Sequence, residues 1–70
     1  MITEQELLNR AARLARKQGR TFFLQYSPGW PGWMTAIGVS KNGEVEWHDL
    51  DGDHSRKRAL AALVRTLEAK

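Results

Sequence analysis

The three aspartates of residues 49–53 alternate with other residues and are flanked by His48 and His54. Carboxylates at this spacing can converge on a hard cation. The calcium-binding EF-hand pattern is not followed, because Gly52 lies two positions too early and Leu60 stands where the bidentate glutamate is needed. We therefore predict a turn and capping segment here, with no metal site and no cofactor.

His48, Asp49 and Ser55 are residue types that occur in nucleophilic catalysis. Adjacent residues of a strand point to opposite faces, so His48 and Asp49 would not act together. The chain also has no glycine-framed nucleophile turn and no glycine-rich phosphate loop. The sequence therefore predicts no enzymatic activity.

A basic cluster, Arg56-Lys57-Arg58, directly follows Ser55, a residue type that caps helices. Cations in the first turn of a helix oppose its dipole at a cost of about 0.3–1 kcal/mol each. Such local violations concentrate at functional sites, and a cationic helix start suits phosphate. An equally open interpretation is that the aspartates of residues 49–53 neutralise the cluster.

Charge is divided unevenly along the chain. Residues 1–20 carry five basic and two acidic side chains, residues 44–54 carry five acidic ones, and residues 55–70 carry five basic and one acidic. The net charge of +3 thus conceals two basic helices and an acidic arm. The basic helix faces either bind a polyanion or remain in contact with solvent and maintain the solubility of the protein. The predicted nucleic-acid contacts are Arg13, Arg16, Lys17, Arg20, Arg56, Lys57 and Arg58.

Trp30 lies between two Pro-Gly turns and has less core to enter than the other tryptophans. We predict that Trp30, together with Tyr26, binds a partner or stacks on a base. The alternative is that Trp30 covers one end of a sheet. The other large apolar residues of the middle segment are predicted to be core: Phe22, Leu24, Trp33, Ile37, Val45 and Trp47.

Apolar residues at helical spacing occupy both ends of the chain. Thr3 as N-cap and Gly19 as a left-handed stop predict a first helix over residues 4–18. Ser55 as N-cap predicts a second helix that continues to about Glu68.

Between the helices, the hydrophobic period changes to two. Strands are predicted at residues 21–26, 33–39 and 44–48. Asn42-Gly43 predicts a tight hairpin between the last two, since both residues tolerate positive φ. Val45 and Trp47 are expected on the sheet face that the helices cover, because their neighbours on the strand are polar.

The predicted fold class is α+β: a two-layer α-β-β-β-α sandwich with a three-stranded antiparallel meander and both helices on one face. With 70 residues the chain is expected to form a single domain, residues 1–70, with a small core. A homodimer would supplement such a core.

Composition excludes several protein classes. The absence of cysteine excludes a disulfide framework, a thiolate zinc site and a cysteine nucleophile. The apolar stretches are too short to cross a membrane, and the start of the sequence does not have the pattern of an export leader. We therefore expect a cytoplasmic protein with no membrane association.

The element order and the segment Ser55-Arg56-Lys57-Arg58-Ala59-Leu60-Ala61-Ala62-Leu63 resemble the double-stranded RNA-binding domain, whose last helix opens with a small residue, a basic cluster and an alanine-rich continuation. The resemblance implies that Arg56, Lys57 and Arg58 contact phosphates across a major groove. It also implies that the first helix and the loop between the first two strands meet minor grooves.

A looser resemblance is to small antitoxin-type domains and phage or mobile-element accessory proteins, in which a tryptophan-bearing strand and an acidic glycine turn precede an Ala-Leu-rich helix. It implies a protein partner. The sequence thus predicts a small non-enzymatic protein whose basic helices bind phosphates of duplex RNA or DNA. The alternative is a protein-interaction module, or a homodimer, that uses Trp30 and the sheet or helix surface.

Overall fold

The computed structural model describes residues 2–29 and 32–69. In chain order the elements are α1 (Glu4–Gln18), β1 (Arg20–Tyr26), β2 (Trp33–Lys41), β3 (Glu44–Asp49) and α2 (Arg56–Glu68). The predicted α-β-β-β-α order and α+β class are confirmed, with each element end within two residues of its expected place. Trp30 lies outside the described residues, so its expected role stays a prediction.

Both helices begin at the caps that the sequence indicates. The Thr3 hydroxyl accepts a hydrogen bond from the Glu6 amide at 3.1 Å, and the Ser55 hydroxyl accepts one from the Arg58 amide at 3.3 Å. At the other end of α1, Gly19 takes a left-handed conformation with φ of 67°. These contacts satisfy amides and carbonyls that the helices themselves leave unpaired.

The three strands form one antiparallel sheet in the order β1-β2-β3. Asn42 and Gly43 both have positive φ, 53° and 82°, as a two-residue hairpin turn requires. The turn pairs Lys41 with Glu44, and this pairing determines the register of the whole β2-β3 hairpin.

The two helices lie on one face of the sheet, where α1 packs on β1 and α2 packs on β2. Leu60, Leu63 and Leu67 of α2 are fully buried there, and Ile37 of β2 lies in the same apolar cluster. β3 packs against neither helix in this way, and every one of its residues is exposed. The sheet therefore extends beyond the helix layer at its β3 edge.

The expected orientation of Val45 and Trp47 is wrong. Residues paired across a sheet share a face, and Trp47 is paired with Gly38, the neighbour of the buried Ile37. Trp47 and Val45 therefore point away from the helices, and they are 46% and 47% exposed. Glu44, Glu46 and His48 occupy the helix side of β3 instead, a position they tolerate because the helices do not reach this strand.

Of the other expected core residues, Ile37 is 3% exposed and fully part of the core. Phe22 and Leu24 are partly buried against it, and Trp33 is half-buried at the start of β2. The core is small, with many short side chains. Among the described residues, four of the ten buried hydrophobic ones are alanines.

Candidate phosphate-binding surface

The two helices lie side by side and run in the same direction. Glu4 and Arg56 connect their first turns, with 3.4 Å between Oε1 and Nε. The Gln18 side chain donates a hydrogen bond of 2.6 Å to the carbonyl oxygen of Leu67 at their last turns. We call this pair of helices the helix layer.

The helix layer is strongly basic. Its two helices contain eight basic side chains and three acidic ones. Two of the basic side chains have acidic partners within the layer: Arg10 pairs with Glu68 at 2.5 Å, and Arg56 pairs with Glu4. Among residues 2–29 and 32–69, the other six form no ion pair within 4 Å, and all six are exposed. These six free cations are Arg13, Arg16, Lys17, Lys57, Arg58 and Arg65.

Arg56 contacts two other elements of the fold, which its neighbours in the sequence do not indicate. Besides the Glu4 contact, its Cζ atom lies 5.6 Å from the ring centroid of Trp33, in a cation–π arrangement. Trp33 is held in turn by two backbone hydrogen bonds to Asp53, of 2.9 and 3.0 Å. Arg56 therefore connects α1, α2 and the start of β2, and less of its guanidinium is available to a ligand.

Lys57 and Arg58 differ from Arg56, because no acidic side chain in the described chain lies within 4 Å of either. In this part of the chain, the alternative of neutralisation by the aspartates of residues 49–53 does not occur through direct ion pairs. Asp53 instead accepts a hydrogen bond from the Ser55 amide at 2.8 Å, just before the helix cap. Asp51 and Asp53 do line a shallow groove with Arg58 and Arg65, so their charge acts at longer range.

The free cations of the two helices border neighbouring grooves. Lys57 and Arg58 line one groove between the helices, together with Ile2 and Leu7. Arg13 and Arg16 line a second groove along α1 that also includes Ile2 and Leu7. The two grooves share these two residues and are therefore neighbours, and the acidic Glu6 also lines the second one.

Arg20 does not belong to this surface. It is the first residue of β1, half-buried, and it is paired with Val39 on the helix side of the sheet. A groove there contains Arg20, His48 and Thr66, at the far end of α2. The structure therefore separates Arg20 from the cations of α1 that it follows in the sequence.

Tyr26, the other predicted partner contact, lies at the end of β1 and is 56% exposed. Its ring centroid lies 5.1 Å from that of Trp33, with 59° between the ring planes. Trp33 thus has Tyr26 and Arg56 as neighbours, and this group marks the end of the sheet near the start of α2.

A second surface, which we call the open face, lies on the side of the sheet away from the helices. The sequence pattern alone did not predict this surface, although the two-residue Asn42-Gly43 turn determines the strand register that creates it. Its apolar residues are Phe23, Met34, Val45 and Trp47. Phe23 and Trp47 are in contact, with 5.1 Å between ring centroids.

No protein-family model matches the chain, and no curated protein or solved structure is significantly similar to it. Within the described residues, no helix is both long and apolar enough to cross a membrane. In the same part of the chain, no three His, Asp or Glu side chains lie close enough together to hold a metal ion.

Proposed function

We propose that this protein is a small non-enzymatic binding protein whose helix layer binds the phosphate backbone of duplex nucleic acid. The observation that carries the proposal is the set of six exposed cations of both helices that have no acidic partner among residues 2–29 and 32–69. Ligand phosphates would neutralise charge that the described part of the fold leaves uncompensated.

The cations at the start of α2 support the same conclusion. Lys57 and Arg58 oppose the helix dipole, yet no carboxylate of residues 2–29 or 32–69 pairs with them. A phosphate at this position would interact favourably with both side chains and with the helix terminus. The resemblance to the double-stranded RNA-binding domain makes duplex RNA the first ligand to test, with duplex DNA as the comparison.

The test is a fluorescence anisotropy titration of labelled RNA and DNA duplexes of about 20 base pairs at several salt concentrations. Affinity is expected to fall steeply with salt, because binding releases counterions from the phosphates. In the double variant Lys57→Ala, Arg58→Ala, the slope of log K against log salt should decrease by about 2, or about one per lost phosphate contact.

A matched control is Lys41→Ala, which removes an exposed cation from the β2-β3 hairpin instead of the helix layer. Its slope should equal that of the unmodified protein. Absence of binding to either duplex at about 50 mM salt, where phosphate contacts are strong, would rule out the proposal. A loss of slope in Lys41→Ala equal to that of a single helix cation would show that binding reflects total charge and not this surface.

A further inference from the structure

The open face is nearly free of charge. The register of the three strands directs nine side chains and Gly38 to this side, and Asp49 is the one charged residue among them. The opposite side of β3 alone carries Glu44 and Glu46. A surface of this composition has no cation to attract the phosphates of a nucleic acid, and it is better matched to a protein surface.

The apolar side chains of the open face are partly or largely exposed, and its two aromatic rings are in contact. Trp47, Val45 and Met34 are 46%, 47% and 37% exposed, and Phe23 contacts Trp47. Because Gly38 has no side chain, Trp47 and Val45 can lie close over β2. An exposed patch of aromatic and aliphatic side chains is typical of protein interfaces.

We infer that the occupant of the open face is the open face of a second copy, in a two-fold symmetric dimer. A two-fold interface brings identical patches together, so an uncharged patch can meet itself without repulsion. In this arrangement the two basic helix layers lie on opposite outer sides. Contact through the helix layers would instead bring like charges together.

The size of the core supports the same partner. Within residues 2–29 and 32–69 the monomer buries ten hydrophobic residues, of which four are alanines, and leaves Trp47 half-exposed. Domains of this length commonly depend on an additional source of stability, and association that buries large apolar side chains supplies it. The inference is independent of nucleic-acid binding, because it concerns the other face of the sheet.

The experiment is sedimentation equilibrium of the full chain from about 1 μM to about 1 mM, a range that covers dimers of moderate affinity. The unmodified protein is expected to pass from monomer to dimer. Trp47→Lys should raise the dissociation constant at least ~10-fold, since it replaces a large exposed apolar side chain with a charge. Circular dichroism verifies that each variant is folded.

The matched control is His48→Lys, because His48 is the next residue of β3, is also exposed, and faces the helix side. This variant should dimerise like the unmodified protein. Met34→Lys on β2 is the second test variant in case Trp47→Lys fails to fold, and it should also weaken the dimer. A protein that stays monomeric throughout would overturn the inference and leave the open face to a partner of different sequence. A dimer that survives in both folded test variants would place the interface elsewhere.

Discussion

Trp47 lies directly over Gly38 on the open face. The two residues are paired across β2 and β3, and a Cβ atom at position 38 would lie 2.9 Å from Cζ3 of Trp47. The same atom would lie 2.7 Å from a Val45 methyl group and 2.9 Å from one of Thr21. Position 38 thus admits no side chain without displacing three neighbours.

Gly38→Ala is expected to destabilise the protein by about 1–3 kcal/mol, the usual cost of inserting a methyl group into a packed site. On backbone grounds alone alanine would favour the strand, so the sign of the change reports the steric conflict. Urea denaturation followed by circular dichroism measures it. Ser40→Ala is the control, because Ser40 lies on the same face of β2 and is exposed. Equal stability of Gly38→Ala and Ser40→Ala would contradict the close packing over position 38.

The elements of this fold could be predicted from local signals, because caps, turn residues and hydrophobic period act within a few residues. The predicted orientation of Trp47 on β3 is wrong, because an apolar side chain on an edge strand is not necessarily buried. Pairing settles this point: a two-residue Asn42-Gly43 turn places Trp47 opposite Gly38, out of phase with Ile37. The length of the turn therefore determines which face of the sheet carries Trp47.

Asn42→Ala is expected to destabilise the protein by about 1 kcal/mol, because alanine is disfavoured in the left-handed conformation that Asn42 adopts. Asn42→Gly should stay within about 0.5 kcal/mol of the unmodified protein, since glycine reaches positive φ without steric cost. Thermal unfolding of both variants tests the turn. A lower stability of Asn42→Gly than of Asn42→Ala would show that position 42 does not have positive φ.

Arg56 and Lys57 are expected to respond differently to substitution. In a double-mutant cycle, Arg56→Ala and Glu4→Gln should show a coupling of about 0.2–1 kcal/mol, as half-exposed ion pairs do. The coupling should shrink at about 1 M salt, where screening acts within about 3 Å. Lys57→Ala, which removes no ion pair, should change stability by less than about 0.5 kcal/mol. Urea denaturation at two salt concentrations measures both effects, and zero coupling at low salt would contradict the contact.

The candidate site was only partly accessible to sequence reasoning. The basic character of the helices follows directly from composition and period. Which cations are free depends on the contact between α1 and α2, since Glu4 and Arg56 are 52 positions apart in the sequence. The neighbouring residues in the sequence do not distinguish Arg56 from Lys57. Only the packing of α1 against α2 shows that Arg56 has an acidic partner among the described residues and that Lys57 and Arg58 do not.

Thr35→Val is expected to stabilise the protein by about 1 kcal/mol. Thr35 is 2% exposed, and its hydroxyl has no hydrogen-bond partner among the described residues. A buried hydroxyl without a partner carries a desolvation cost of about 1–3 kcal/mol, which valine removes while keeping the side-chain shape. The backbone hydrogen bond from the Leu50 amide to the Thr35 carbonyl, 3.0 Å, is unaffected by the change.

Thr66→Val is the matched control, because the Thr66 hydroxyl donates a hydrogen bond to the Ala62 carbonyl at 3.0 Å. Loss of this bond should not stabilise the protein. Thermal and urea unfolding of the two variants decide the point, and a less stable Thr35→Val would show that this hydroxyl is hydrogen-bonded in solution.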